Sequence, residues 1–521
     1  MKLDVSRSNN FSTPYGGLNN TPNWQFFKWT LRVIEKHFKN KTTRFIFKQF
    51  FGTHSLRAFK VNTYLTFKQV FPLLYMAGIF LFHRDFRIID NVGFSAATRE
   101  CSKLYPIFIF TPSQVTNENK YKSTNAIQFM IEALDDLDSQ LQKHTSKCHC
   151  FYGNTTTIIR ELVKKLDIKT VFFNRDYTPF AVKRTAELTE QCGCECKTYS
   201  DYYLVEPGTL VNGSGEPYRK FTPFYKKALA SRIKTNIGLS PRFSVLDKIP
   251  DTTMEHRILL KDAYFRFTGS NLNPDILGIG CRAEALARLT RIPQKYDATH
   301  NTLAVSTTEL SPYIKFGCVS IREVYRSIHN AAIRRQLLWR DFYAHVLFAH
   351  PHLGKPLDPK YERIAWDNNR TYFAAWCAGK TGFPVVDACM RQLNTSGYMH
   401  NRGRLIVASF LVKTLLIDWR WGEKYFATHL VDYDVASNHG NWLWIAGGGA
   451  DSQEYFRIFN PWSQSEQNDP DAIYIKRWVP ELADVPSREI HAPNPDKYLK
   501  PIVDYAEQKT HVLAEYKKIF A

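Results

Sequence analysis

A chain of 521 residues, 44% apolar and 23% charged, has the composition of a folded globular protein with material for roughly two to four domains, which excludes disordered and collagen-like classes. Its 69 Lys and Arg outnumber its 49 Asp and Glu, a formal charge of +20 that points to a polyanionic partner, either nucleic acid or an acidic membrane surface. The longest apolar run, residues 70–82, is too short to span a bilayer and is broken by Pro72 and Gly78, so no membrane segment is expected. Nothing at the N-terminus has the layout of a secretory signal, and the ten cysteines are expected to be reduced.

Residues 1–75 differ from the rest. They hold 12 Lys and Arg against only Asp4 and Glu35, and so carry half of the net charge. Phe27, Leu31, Ile34 and Phe38 recur at helical spacing, which predicts an amphipathic helix over Trp24–Phe47 in a basic N-terminal extension. Its role stays open among organellar targeting, a DNA-binding arm and neither.

From residue 76 to 205 strands and helices alternate. Ile79–Phe82, Pro106–Phe110, Cys150–Tyr152, Thr170–Phe173 and Glu195–Thr198 read as strands, and Asn125–Gln142, Thr156–Lys165 and Val182–Gln191 as helices. This succession predicts an α/β doubly wound parallel sheet. No G-x-G-x-x-G follows the first strand, so a dinucleotide is not implied there. Cys192, Cys194 and Cys196 alternate as one face of a strand would, and with Cys148 and Cys150 they are read as structural rather than metal-binding.

Residues 206–265, rich in Gly and Pro, lack periodicity and are expected to be an interdomain connection. Residues 266–521 read as all-helical, with stretches such as Cys281–Leu289, Ile321–His350 and Val385–Leu393. Nine of the eleven tryptophans fall in this last region, more than an even spread would place there. Core packing accounts for most of them.

The polar chemistry concentrates in three short runs: Asn401-Arg402-Gly403-Arg404, Asp432-Tyr433-Asp434 and Asn438-His439-Gly440-Asn441-Trp442-Leu443-Trp444. Such groups are costly to bury unless they serve each other, as an Arg404–Asp432 ion pair would, or a polar ligand with phosphates and a heteroaromatic ring. Upstream, Ser306-Thr307-Thr308 and Leu310-Ser311-Pro312 offer small hydroxyls at a helix start, which suit a phosphate. Gly447-Gly448-Gly449 lacks the context of a phosphate loop. The histidines show no metal spacing, and no Ser/His/Asp order or His-Glu-x-x-His is present, so neither a metal nor a hydrolase is expected.

Longer motifs then carry a resemblance. Phe82-His83-Arg84-Asp85-Phe86-Arg87 to Asn91, Tyr218 to Phe224, Thr308 to Tyr313, Leu338-Trp339-Arg340-Asp341-Phe342-Tyr343, Gly382 to Asp387 and the block from Met399 to Trp444 follow in order. On these, residues 76–521 resemble the DNA photolyase/cryptochrome family, and are most similar to a class I cyclobutane pyrimidine dimer photolyase. The resemblance implies an antenna domain over 76–205, the connection over 206–265, and a helical FAD-binding catalytic domain over 266–521. It implies that Tyr296, Thr307, Thr308, Leu310 and Ser311 hold the phosphates and ribitol of FAD. Arg340, Asn401, Arg404, Asp432, Asp434 and Asn438 would serve its ring and adenine side, with Asn438 at flavin N5. Trp442, Trp419 and Trp366 would form an electron-transfer chain. Gln336, Trp339, Asn401, Arg402, Leu405 and Trp444 would meet the substrate.

The activity so implied is light-driven repair: excited reduced FAD passes an electron to a pyrimidine dimer flipped out of damaged DNA, the ring splits, and the electron returns. A second antenna chromophore is also implied as a pterin, a deazaflavin or another flavin, or its site is empty. Alternatives are a DASH-type cryptochrome acting on single strands and a photoreceptor without repair. A (6-4) enzyme is disfavoured, because Asn401 and Leu405 stand where a histidine pair is needed. Two departures temper the match: Gln336 replaces a usual Glu and Leu405 a usual Met, so repair of reduced efficiency is expected. A monomer without membrane attachment is expected, located wherever DNA is.

Overall fold

The computed structural model describes residues 76–520 apart from 232, 234, 237, 251–254, 270–271, 453–456, 493 and 495. The basic extension over 1–75 and its expected helix therefore lie outside the described residues.

Five parallel strands form one sheet in the order β3-β2-β1-β4-β5, with β1 over Ala77–Phe82, β2 over Lys103–Phe110, β3 over His149–Tyr152, β4 over Ile168–Asn174 and β5 over Glu195–Tyr199. The central strand explains its own position. Its Ile79, Phe80, Leu81 and Phe82 are all buried, as a strand covered on both faces requires. Alternation sends Phe80 and Phe82 into one core and Ile79 and Leu81 into another on the opposite face. The connections run away from β1 in both directions, so the order reverses between β1 and β4. The loops leaving those two strands carry Arg84 and Asp176, which pair at 2.9 Å across that reversal.

Each expected strand and helix of this half is present, with bounds one to three residues wider. Helix α1, Val92–Glu100, was not predicted from the sequence. Six of its nine residues are buried, so it lacks a polar face for periodicity to register, although Asn91 caps it by accepting from the Phe94 amide. Helix α2 spans Thr124–Gln142, α3 Thr155–Leu166 and α4 Pro179–Gln191, capped by Ser123, Asn154 and Thr178. The expectation that Cys192, Cys194 and Cys196 share one strand needs correction. Only Cys196 lies in β5, because Cys192 closes α4, yet the Cys192 Sγ lies 3.4 Å from that of Cys196 and 3.8 Å from that of Cys194. All ten cysteines are free.

The connecting segment holds two helices that its Gly and Pro content hid: α5 over Phe221–Ala230 and α6 over Leu260–Thr268. Pro223 sits in the first turn of α5, where its missing N–H costs the helix no hydrogen bond. Helix α6 packs on α2.

Beyond it come α7 (Arg282–Thr290), α8 (Ser311–Lys315), α9 (Ile321–Ser327), α10 (Ala331–Ala349), α11 (Arg370–Ala378), α12 (Pro384–Ser396), α13 (Asn401–Lys413), α14 (Trp419–His429) and α15 (Val435–Ala446). The single helix expected over Ile321–His350 is two, because Ile328 turns extended and Asn330 caps α10 by accepting from the Ile333 amide. Gly447 takes φ +95° to stop α15, so the triple glycine is a helix terminus. Among the described residues no helix is long and apolar enough to cross a membrane. No group of three or more His, Cys, Asp or Glu among them could hold a metal ion.

Candidate functional site

Two glycines let three helices close around a cavity. A Cβ on Gly440 of α15 would stand 2.2 Å from the Tyr343 ring on α10, and one on Gly422 of α14 would stand 2.2 Å from the Trp442 ring on α15. With these contacts made, α8, α10, α13 and α15 line a cavity of about 550 Å³. Its size is that of a site for a cofactor or large ligand.

The structure brings most of the sequence-predicted residues to this cavity. Tyr296, Thr308, Leu310, Ser311, Gln336, Trp339, Arg340, Asn401, Arg404, Leu405, Asp432, Asp434, Asn438, Trp442 and Trp444 all line it. Four do not. Thr307 lies beside Tyr398, Arg402 donates to Asn301 Oδ1 at 2.7 Å, Trp419 is buried against the His439 ring at 5.3 Å, and Trp366 packs edge-on to Tyr516 at 6.3 Å.

Asp432 anchors the polar part. Its Oδ2 accepts from Ser311 Oγ at 2.6 Å and from an Arg404 guanidinium nitrogen at 2.9 Å, while its Oδ1 is buried with no partner. A buried acceptor without a donor is an unmet cost of about 1–3 kcal/mol that a ligand hydroxyl or N–H would remove. Arg404 is fixed from both sides, since its Nε donates to the Met399 carbonyl at 2.9 Å. Arg340 donates to the Tyr202 carbonyl at 2.6 Å and lies over the Tyr203 ring.

Asp434 caps α15 by accepting from the Ser437 amide and receives Arg84 at 3.1 Å. Burial alone would raise its carboxyl, but Arg84 and Arg340 hold it at about 2. Arg84 thus ties the sheet reversal to the cavity. Arg84 belongs to a sequence motif that assigns it no role, and no motif marks Lys315, which lines the cavity from the end of α8. Burial pushes the Lys315 ammonium down to about 8, with Asp434 opposing the shift. The run Ser311–Lys315 was its only local sign.

Aromatic rings make up much of the remaining lining, among aliphatic side chains such as Ile314, Leu337 and Leu405. Trp339 stacks on Phe221 at 3.7 Å, Trp444 donates its indole N–H to the Asp451 carbonyl at 3.0 Å, and Tyr343 donates to Asn441 Oδ1. Trp442 meets Phe426 at 5.0 Å and Trp376 at 6.3 Å. An orphaned carboxylate oxygen, paired arginines, hydroxyls and indole walls fit a dinucleotide that carries a flavin ring.

Residues 333–518 match the FAD binding domain of DNA photolyase, and residues 78–241 the DNA photolyase domain. The deoxyribodipyrimidine photo-lyase of Vibrio cholerae is 34% identical over 467 residues, which cover 84% of this chain and 98% of that protein. Among solved structures, the archaeal photolyase of Sulfolobus tokodaii, determined with two FAD molecules, is 39% identical with a TM-score of 0.77 over 85% of this chain and all of that one. The class III photolyase of Agrobacterium tumefaciens is 30% identical with a TM-score of 0.77, covering 86% of this chain and 98% of that one. The chain belongs to the DNA photolyase family. It is an enzyme of the photo-lyase class whose helical half is an FAD-binding domain.

Proposed function

We propose that this protein repairs cyclobutane pyrimidine dimers in DNA with light. The observation that carries the reading is a single cavity lined both by the Ser311–Asp432–Arg404 set, with its unpartnered carboxylate oxygen, and by Trp339, Trp444, Gln336 and Leu405. The first group suits FAD and the second a pair of stacked pyrimidines. Bound and reduced, FAD supplies the light-excited electron that opens the cyclobutane ring.

The chain's residues do the remaining work. Ser311, Thr308 and Asp432 would hold polar groups of the cofactor, and Arg404 would supply a fixed positive charge to it. Asn438 would offer an uncharged amide to the flavin ring. Trp339 and Trp444 replace the stacking lost when the dimer leaves the duplex, at about 1–3 kcal/mol per base. Gln336 orients the pyrimidine carbonyls through its amide but carries no acidic proton. Trp442, at the cavity wall, meets Trp376 and so offers a route from the site into the helical domain. Lys and Arg around the cavity grip phosphates and make binding fall with salt.

The test is illumination of the reduced holoprotein with oligonucleotides bearing either a cyclobutane dimer or a (6-4) lesion. Loss of the dimer alone is expected. A dimer that persists under blue light refutes repair and leaves a photoreceptor.

A further inference from the structure

Asn438 has a partner to which the sequence assigns no role. Glu423, on α14, is 6% exposed and in contact with Asn438 of α15. The Asn438 Nδ2 donates to the Glu423 backbone carbonyl at 3.1 Å and to its Oε1 at 2.9 Å. An amide nitrogen has only two hydrogens, so both are spent on one residue, and Oδ1 is the atom left to a ligand in the cavity. The Tyr121 hydroxyl lies close to the same carboxyl.

Flavin chemistry makes this orientation matter. The reduced ring carries an N–H where the oxidised ring has a bare nitrogen lone pair. An oxygen facing that position accepts from the first and repels the second, and an NH₂ group would do the reverse. We propose that Glu423 is a positioning residue that fixes Asn438 as an acceptor toward the flavin and so weights the bound cofactor toward its reduced, N–H-bearing form. The inference rests on the reading of Asn438 as a flavin partner given under Proposed function. A purely structural role, one hydrogen bond between α14 and α15, would change stability and leave the flavin's redox balance alone.

The experiment measures the midpoint potential of bound FAD in the holoprotein for wild type, E423L, E423Q, N438A and E423L/N438A, with thermal stability alongside. Losing the carboxylate acceptor frees the amide to turn, so E423L should move the reduced-to-oxidised equilibrium constant about tenfold toward oxidised flavin, the worth of one hydrogen bond. E423Q keeps an acceptor oxygen at the same place and should restore the wild-type value. The double variant should match N438A, because Glu423 acts only through that amide. If E423L does not accumulate as folded protein, E423M carries the same comparison. A potential in E423L equal to wild type, whatever its stability, overturns the proposal. So does an E423Q shift as large as that of E423L, which would assign the effect to charge. A wild-type protein that takes up no FAD would instead end the flavin reading itself, and this inference with it.

Discussion

The ring of Trp442 lies against the backbone of Gly422, at a place where a Cβ would come within 2.2 Å of its Cη2 and 2.5 Å of its Cζ3. The two residues belong to successive helices, so this one absent methyl group sets how closely α14 approaches α15 and hence where Asn438, one turn before Trp442, stands. Gly422→Ala should push the indole toward the cavity. We expect a loss of about 1–3 kcal/mol in stability, as overpacking of a core typically costs, together with reduced FAD retention. Chemical denaturation and the flavin-to-protein absorbance ratio check both.

Asp432 accepts from both Ser311 and Arg404 in the cavity, and Asp432→Ala should strip the protein of its cofactor. Removal leaves Arg404 and Ser311 without their shared acceptor and takes away the unpartnered Oδ1. With at least two charge-assisted or hydroxyl hydrogen bonds lost, FAD affinity should fall by about a hundredfold or more. Asp432→Asn, which keeps the shape and one acceptor, should lose less. Titration of apoprotein with FAD, followed by flavin fluorescence, ranks the two variants.

How far this site could be read from the sequence follows from how local its signals are. Asp432 and Asp434, or Asn438 and Trp442, lie within a few residues of each other, and residue types that are costly to bury in one short run announce a ligand. The strands were equally plain, because β1 and β2 are buried on both faces and read as unbroken apolar runs. Helix α1 was hidden by that same burial, since an element covered all round has no periodicity to detect. Arg84 and Asp434 pair although 350 residues apart, and no spacing rule reaches that far. Glu423 was missed for a related reason: its partner is 15 residues away on another helix, and its own neighbours are ordinary.

The Arg84–Asp434 pair also gives a pH dependence with a definite sign. The Asp434 carboxyl sits at about 2 in the folded protein against an ordinary 3.8, so its contribution is fully present above the ordinary value and is lost as pH falls toward 2. That contribution has a ceiling of about 2 kcal/mol, which Arg340 shares with Arg84. Arg84→Met should therefore be less stable than wild type at neutral pH, and the gap should narrow below about pH 4. Urea melts across this range read the difference directly. A gap independent of pH would mean that Arg84 acts through its packing over Tyr202 and Tyr203 and not through a carboxylate.

Gln336 lines the cavity, and Gln336→Glu tests what an amide costs there. An amide can orient a pyrimidine carbonyl but has no acidic proton to share with it as charge builds there. The glutamate variant should repair more dimers per absorbed photon without binding damaged DNA more tightly, since the gain arises after the electron has moved. Measured side by side, the quantum yield should rise while the dissociation constant stays within about twofold, less than a single net hydrogen bond is worth.

Trp442 separates repair from reactivation. It is the one member of the expected tryptophan chain that lines the cavity, and its ring neighbours are Phe426 and the buried Trp376 rather than Trp419. Trp442→Phe keeps an aromatic of similar shape but removes an oxidisable indole at the start of any route to the surface. Protein carrying oxidised flavin should then fail to be reduced by light and external donor, while protein reduced chemically should still repair dimers at nearly the wild-type rate. Trp419→Phe and Trp376→Phe, assayed in the same way, identify the next step: whichever of them also blocks photoreduction lies on the path, and its ring contact with Trp442 favours Trp376. Retained photoreduction in Trp442→Phe would show that electrons enter the site without passing this indole.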